Sequence, residues 1–488
     1  MNKNIAAVSF ASNQTIEHTT GKRSWLPAIL CIVIVACTTF QCAVRGTPTA
    51  CFLKGTLTGE LFLYAVLILL ALSCSELLWR AVLVFRYKPV QGCEDEHLPD
   101  CAVVVPAFNE GKHVLTTLRS LADSNYPKDK LKFIAIDDGS VDDTWKWIQK
   151  AKEIIGDRLI IIKQPYNKGK RHALHAGFQQ STAEVLVTVD SDSIVEADTL
   201  RNLVMPFVLD EKVGAVAGNV RVLNRDSGLI PRMLDVAFVY SFDFIRASQS
   251  MVKAVMCTPG ALSAYRRSVV MNILPEWLFQ TFRGQAANIG EDRAITNLIL
   301  REGYHVLFQQ NSRVHTEVPV TYANLCKMYL RWVRSDVREN IAMTRFIFKP
   351  FRDESKLGAR INLVSSWVSI TKIPILLVIT CGLIIVHPAV FGVNTALGIV
   401  ITSSLAAIIY AWKFRTFASL WAFMYGFFFF IALSWIGPYA LITLHKSGWL
   451  TRQIKTKSLV LQEIATLTGS ELFLQDAENA DGRYFDVA

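Results

Sequence analysis

Val185-Leu186-Val187-Thr188-Val189-Asp190-Ser191-Asp192 runs five apolar or β-branched residues straight into two acids one residue apart. A short run of this kind is a strand buried on both faces, and two carboxylates at its end repel each other unless a cation or hydrogen-bond donors compensate. The stretch therefore sets an acidic edge at the carboxyl end of a buried strand, where ligands collect on open α/β sheets. Comparable runs flank it at Ala102 to Pro106, Leu131 to Asp137, Leu159 to Lys163 and Gly214 to Gly218, with helical periodicity between them. That alternation predicts βα units around a largely parallel sheet, a soluble α/β domain over residues 98–320.

On either side the texture turns apolar. With 488 residues and 51% hydrophobic composition, the chain can bury a soluble domain and still supply lipid-length segments. Trp25 to Val44 follows Lys22-Arg23, and Leu61 to Trp79 precedes Arg80, Arg86 and Lys88; both basic flanks belong on the cytoplasmic side. A cleaved signal peptide is the alternative for the first segment, which begins late for one and is soon followed by a second span. Leu363 to Val386 and Ala389 to Trp412, parted by His387-Pro388 and closed by Lys413 and Arg415, predict a crossing out and back. Phe417 to Leu444 is interrupted by Gly437-Pro438 and reads as a re-entrant or interfacial segment. Between these blocks, Leu325, Met328, Tyr329 and Trp332 recur at helical steps beside Lys327, Arg331, Arg334 and Arg338, which suits a helix at the membrane surface. The resulting plan is a cytoplasmic 1–24 segment, two transmembrane helices in 25–82, the soluble domain in 98–320, interface helices in 321–360, two more transmembrane helices in 361–412, a re-entrant segment and loop in 416–455, and an acidic cytoplasmic tail in 456–488.

The formal charge of +10 suits acidic lipid or a phosphorylated substrate, and the spans set nucleic acid aside. Ten cysteines occur without any Cys-x-x-Cys pair, and Cys31, Cys37, Cys42, Cys74 and Cys381 lie in apolar segments, so they read as small packing residues.

Chemistry concentrates where strands meet polar motifs. Pro106-Ala107-Phe108-Asn109-Glu110 ends the first strand in a turn that offers an edge to a nucleobase or ribose, or a helix start capped by Asn109. Asp137-Asp138-Gly139-Ser140 ends the second, with carboxylates able to accept hydrogen bonds from a uracil ring or ribose. Lys168, Lys170 and Arg171 gather at a helix amino end, which reads either as a solvated basic turn or as a place where a diphosphate binds. His172 and His175 on that helix receive no role. Asp190 and Asp192 suit Mg²⁺ or Mn²⁺ shared with substrate phosphates. In Gly290-Glu291-Asp292-Arg293 the acids either complement a helix dipole or place Asp292 as a general base. Arg331-Trp332 is either a headgroup anchor or a sugar-stacking aromatic beside a diphosphate-binding cation.

Taken together, these motifs resemble the processive family-2 glycosyltransferases, above all the hyaluronan synthases and rhizobial chitooligosaccharide synthases, with chitin and cellulose synthases more distant. The resemblance covers roughly residues 60 to 455 and rests on Val255-Met256-Cys257-Thr258-Pro259-Gly260 through Tyr265-Arg266-Arg267, Phe282-Arg283-Gly284, Gly290 to Arg293, Arg331-Trp332-Val333-Arg334-Ser335 and Gly448-Trp449-Leu450-Thr451-Arg452. It implies a GT-A type α/β domain inserted between transmembrane helices, in a multi-pass protein of the plasma or inner membrane with its catalytic domain in the cytoplasm. It further implies that Asp138 and Lys170 contact the nucleotide, that Asp190 and Asp192 engage nucleotide and metal, and that Asp292, beside Glu291, is the catalytic base. Cys257, Thr258, Pro259 and Gly260 would line the acceptor site and Trp332 would hold the terminal sugar, while Arg331 with Trp449, Thr451 and Arg452 would close over the diphosphate. The expected partners are a UDP-sugar, the growing polysaccharide and membrane lipid. Two positions depart from the family pattern: Met328 stands where Gln opens the Gln-x-x-Arg-Trp signature, and Leu450 replaces Gly in the Trp-Gly-Thr-Arg loop. The activity implied is polymerisation of a β-linked glycan from UDP-N-acetylglucosamine with export. Hyaluronan synthesis from two donors, or transfer of one sugar to a lipid, are the alternatives.

Overall fold

A computed structural model describes residues 24–45 and 57–446. These belong to the unit that ends at Ser447, while the unit Gly448–Ala488, and with it Trp449, Thr451 and Arg452, lies outside the described residues.

Ten strands form the β-structure: β1 (Cys101–Ala107), β2 (Leu131–Asp137), β3 (Leu159–Lys163), β4 (Val185–Val189), β5 (Ser193–Val195), β6 (Val213–Val222), β7 (Leu262–Arg266), β8 (Thr281–Phe282), β9 (Gln285–Ala286) and β10 (His305–Thr316). Eight of them make one sheet in the order β3-β2-β1-β4-β7-β6-β10-β5, and β8 and β9 pair as a separate hairpin. The runs read from sequence occupy β1 to β4 and β6. Their pairing is parallel among β3, β2, β1 and β4 and again between β6 and β10, but β7 runs antiparallel between β4 and β6, and β5 antiparallel to β10. The sheet is therefore mixed rather than largely parallel. Neither β7 nor β10 carries an uninterrupted apolar run: β10 contains Gln309, Gln310, Asn311 and Ser312 and shifts register against β6 between Phe308 and Arg313. Pro106 sits in β1 beyond the last rung shared with β4, at Val104 and Thr188, so its missing N–H breaks no ladder on that side.

Helices cover the sheet and bury Phe133, Phe178 and Trp277 completely, with the Phe178 ring 6.2 Å from Trp277 and 6.3 Å from Tyr265. Helix Lys170–Gln180 thus has its first turn placed over the carboxyl ends of β1, β2 and β4 by an apolar contact at its far end.

The apolar segments form helices Leu26–Arg45, Leu57–Arg86, Leu357–Val386 and Pro388–Phe414. Among the described residues, Phe391–Phe414 is the one helix shown to be long and apolar enough to cross a membrane, and the bent pair Phe417–Leu433 and Ile436–Ile442 would make a second if taken as one span. That pair bends by 43° between Leu433 and Ile436, ahead of the Gly437-Pro438 break expected from sequence. Pro438 instead lies in the first turn of Ile436–Ile442, where its missing N–H has no helical partner to lose. Helix Tyr322–Ile347, expected at a membrane surface, is packed on protein along much of its length: Tyr329 Oη meets Tyr425 Oη at 2.7 Å, Arg334 Nη2 donates to Thr443 Oγ1 at 2.7 Å, and Leu325, Met328 and Val337 are buried.

Three helix ends meet the α/β domain, and a fourth abuts one of them. Arg80 Nη1 near the end of Leu57–Arg86 donates to Ser248 Oγ at 3.0 Å, and Asn362 near the start of Leu357–Val386 donates to Ala254 O at 3.1 Å. Lys413, closing Pro388–Phe414, donates to the buried Asp243 carboxylate at 2.6 Å. Ser24 and Trp25, opening the first helix, touch the same end: Ser24 N donates to Arg415 O, and the Trp25 and Trp412 rings lie 5.0 Å apart.

Candidate active site

Lys170 stands at the centre of the cleft. The first residue of its helix, it ion-pairs with Asp190 just past β4, and its Nζ lies 3.5 Å from Glu291 Oε1 at the start of helix Glu291–Arg301. Burial opposes its charge, yet Asp190 and Glu291 together hold its pKa above the ordinary lysine value. One ammonium thus joins the acid edge of the sheet to the Gly290-Glu291-Asp292-Arg293 turn. Gly260 makes the approach possible, since a Cβ there would fall 2.5 Å from Lys170 Nζ. Lys170, Gly260, Glu291 and Asp292 line one small cavity with Tyr265 and Trp277.

Asp292 accepts a hydrogen bond at Oδ1 from Arg293 N at 2.8 Å, and Cys257 Sγ lies 3.6 Å from Oδ2. Burial and then the neighbouring Glu291 push its carboxyl up to about 6, against the pull of Lys170, the Arg293 amide and Arg331. A carboxylate that holds a proton until near-neutral pH accepts one more readily at working pH than an ordinary acid does. Cys257 is pushed the other way for a nucleophile: burial and Asp292 raise its thiol, so it sits there as a neutral wall. Gly290 enters the helix at φ 78°, and any Cβ would collide with Ser335 Oγ on helix Tyr322–Ile347, so only glycine lets the two helices meet here.

The residues at the ends of the first, second and fourth strands arrange themselves differently from one another. Asp138 is buried, and its two oxygens accept from Lys168 N and Gly169 N, each at 2.9 Å, which ties the second strand's end to the basic turn. Burial pushes its carboxyl up to about 6 despite those amides. Asp137 Oδ1 accepts from Ser140 N, and its buried Oδ2 has no hydrogen bond among the described residues. Asn109 caps no helix, since the next one starts at His113 after Lys112. It adopts φ 53° and links two loops, its N donating to Ser140 Oγ and its Oδ1 accepting from Val141 N. Glu110 Oε1 accepts from Ser191 Oγ at 3.0 Å, which holds the Asp190-Ser191-Asp192 turn against the first strand's end. Pro106 and Ala107 are buried inside β1 and shape this edge through the backbone, Ala107 O accepting from Asp138 N. Lys168 keeps to the turn's outer side, its Nζ 5.2 Å from the Tyr166 ring. Arg171 departs from its expected place: it is buried, donates to Trp277 O and to Gln280 Oε1, and lies 5.2 Å over the Trp277 ring. Helical rotation explains this, since one residue beyond Lys170 turns the side chain by about 100° toward the core.

Asp192 Oδ1 lies 3.3 Å from both Ser193 Oγ and Thr316 Oγ1. Among the described residues no three His, Cys, Asp or Glu side chains cluster as a metal cage. The chemistry available is two hard carboxylates at one strand end, a set that fits a divalent cation taking its other ligands from phosphate and water.

Across the cleft, Thr258 is buried, with Oγ1 2.8 Å from Thr296 Oγ1 and 3.0 Å from Tyr265 Oη, so it fixes the 257–260 turn. Pro259 O accepts from Ser263 Oγ at 2.6 Å. The charge of Arg331 reaches Asp292, and Trp332 next to it is 39% exposed, 5.6 Å from the Tyr329 ring and 6.3 Å from Phe238. Behind helix Glu291–Arg301 runs a polar layer that sequence reasoning missed: Glu339 accepts from Gln280 Nε2 at 2.9 Å and Asn297 Nδ2 at 2.8 Å, and Arg293 Nη2 donates to Asn340 Oδ1 at 2.6 Å. The one available signal was the spacing of polar residues on what is otherwise the apolar face of a helix.

A mixed sheet thus carries acids at the carboxyl ends of its strands, and a second acid pair faces them across one lysine. Residues 99–335 match the model described as "Glycosyltransferase like family 2". The chain is 32% identical over 295 residues to an N-acetylglucosaminyltransferase of Rhizobium meliloti (strain 1021), covering 59% of this chain and 67% of that one. It is 34% identical over 270 residues to a hyaluronan synthase of Streptococcus pyogenes serotype M3, covering 54% of this chain and 63% of that one, so the match spans under two thirds of the synthase. Among solved structures, the mannosyltransferase PcManGT from Pyrobaculum calidifontis in complex with GDP-Man and Mn²⁺ aligns with TM-score 0.46 and 21% identity, over 71% of this chain and 97% of that one. The chain belongs to glycosyltransferase family 2.

Proposed function

We propose that this chain is an inverting, metal-dependent transferase that moves a sugar from a UDP-sugar, UDP-N-acetylglucosamine by preference, onto the non-reducing hydroxyl of a β-linked glycan. The observation that carries the reading is Lys170, which bonds Asp190 on the donor side and reaches Glu291 on the side of Asp292. Donor phosphates and an acceptor hydroxyl bound at these two acid groups would therefore lie within one cleft. Asp292 takes the proton from the attacking hydroxyl, and its raised pKa suits that task. Trp332 stacks on the sugar that presents the hydroxyl, and Arg331 neutralises diphosphate charge. Asp138 with Lys168 and Gly169 shapes the nucleotide edge. Asp190 and Asp192 would hold Mg²⁺ or Mn²⁺, which when bound stabilises the charge of the departing diphosphate.

Three helix ends on the α/β domain support a multi-pass arrangement, because Leu57–Arg86 ends on it, Leu357–Val386 starts on it and Pro388–Phe414 ends on it, with the start of Leu26–Arg45 beside the last of these. Two crossings out and back bring every one of those ends to the cytoplasmic face, so the product leaves across the membrane from the cleft. Relatives called hyaluronan synthase favour the second reading, a copolymer from UDP-glucuronate and UDP-N-acetylglucosamine. Purified full-length protein in lipid nanodiscs, given each UDP-sugar alone and both together with Mg²⁺ or Mn²⁺, decides between them. Polymer from UDP-N-acetylglucosamine alone is expected. Product that needs both donors replaces it with the second reading, and absence of UDP release with any donor removes the proposal.

A further inference from the structure

Residues 240–246 form a π-helical turn between helices Leu229–Val239 and Ala247–Met251, and Arg246 is its last residue. Such turns insert one residue into a helix and thereby re-aim its side chains, and they concentrate at functional sites. Here the back of the turn is pinned: Asp243 is buried, with Oδ1 accepting from Asn219 Nδ2 and Gln310 Nε2 and Oδ2 from Arg221 Nη2 and Lys413 Nζ. The front is therefore held in a fixed direction.

Arg246 points at the reacting centre. Its Nε donates to Cys257 O at 3.4 Å, and the thiol of that same Cys257 touches Asp292 Oδ2. Nη1 donates to Ser241 Oγ at 2.9 Å, and the guanidinium carbon lies 3.9 Å from the centroid of the Phe242 ring, one turn back. Among the described residues Arg246 forms no ion pair within 4.0 Å, although burial weighs against its charge and lowers its pKa. Its carboxylate neighbours, Asp292 and Asp336, act on it only through space. A half-buried guanidinium donating only to neutral oxygens retains three N–H groups for a ligand. The ring of Phe242 continues an aromatic row, 6.1 Å from Phe238, which lies 6.3 Å from Trp332. Aromatic faces stack on the apolar faces of sugars, and a guanidinium held among them supplies hydrogen bonds to the sugar's oxygens.

We propose that Arg246 is an acceptor-binding residue: it donates hydrogen bonds to oxygens of the glycan unit lying between Trp332 and Asp292, and so sets the depth at which the attacking hydroxyl meets the base. This rests on the transferase reading given above. Donor binding does not involve it, because Lys170 and Asp190 meet the cleft from the sheet side.

Steady-state transfer by the full-length protein in nanodiscs, from a saturating UDP-sugar to a soluble β-linked N-acetylglucosamine oligomer of varied concentration, tests this with Arg246→Ala, Arg246→Lys and Ser241→Ala. The expected result for Arg246→Ala is a KM for the oligomer raised at least tenfold while the KM for the UDP-sugar stays within twofold. Arg246→Lys should recover part of that loss by restoring charge without the fork, and Ser241→Ala, which keeps the guanidinium and removes one tether, should raise the oligomer KM by a smaller factor. An unchanged oligomer KM in the folded variants, or an equal rise in the KM of the UDP-sugar, overturns the assignment. Should Arg246→Ala yield no folded protein, Arg246→Lys and Ser241→Ala still decide. Failure of the wild-type protein to transfer to any oligomer would instead strike the transferase reading itself.

Discussion

Asp138 and Asp292 share a carboxyl pKa near 6, raised in both by burial, yet the surroundings of the two acids differ in kind. Both oxygens of Asp138 are occupied by backbone amides of the basic turn, so the group works as a brace. Asp292 has one oxygen on the Arg293 amide and the other beside a neutral thiol, on the wall of a cavity that also holds Glu291 and Lys170. A perturbed carboxyl marks a functional site only when one of its oxygens can still meet a ligand. The contrast teaches that the sheet side of the cleft is braced by backbone amides, while the helix side sets a raised carboxyl on a cavity wall.

The strongest way to break the contrast is Asp292→Asn. Removing the base should lower turnover by about 10²–10⁴-fold while leaving the KM for the UDP-sugar nearly unchanged, as read from UDP release. Gly290→Ala comes next, because the new methyl meets Ser335 Oγ in a left-handed backbone that costs about 1–3 kcal/mol. Turnover should fall about tenfold to a hundredfold, and a second change, Ser335→Gly, should restore part of it. Asp138→Asn sets an amide NH₂ against two backbone N–H groups and leaves one of them unpaired, at a cost of about 1–3 kcal/mol. A lower Tm and a UDP-sugar KM raised several-fold are expected, with turnover changed less. A pH profile sharpens the comparison further. As the proposed base, Asp292 works only as a carboxylate, and its raised pKa means it takes up its proton already near pH 6, so the rate should decline tenfold per pH unit below about 6. Asp138→Asn should show the same acid limb, which assigns that limb to Asp292; a limb that moves in this variant would reverse the two roles.

The parallel half of the sheet was legible because β1 to β4 are short apolar runs ending in polar motifs, a pattern written in consecutive residues. β7 was not, since Leu262-Ser263-Ala264-Tyr265-Arg266 alternates small and polar residues and is stabilised by neighbours on both sides rather than by its own composition. The site was legible as a set of acids, but not in its directions. Lys170 and Arg171 are adjacent and equally basic in sequence, and only the helix phase sends one into the cleft and the other under Trp277. Arg246 was invisible for the same reason, because the π-helical turn that aims it depends on Asp243, whose partners come from β6, β10 and the end of a distant helix.

That shared anchorage governs how the molecule can be divided. Lys413 reaches Asp243 from beyond the stretch 99–335 that bears the family likeness, so a shortened chain ending near Ser335 would leave the Arg221–Asp243 pair short of a donor and open to water. The enzymatic half and the apolar half are thus a single cooperative body, and an excised fragment of the first should unfold at a lower temperature than the intact polypeptide.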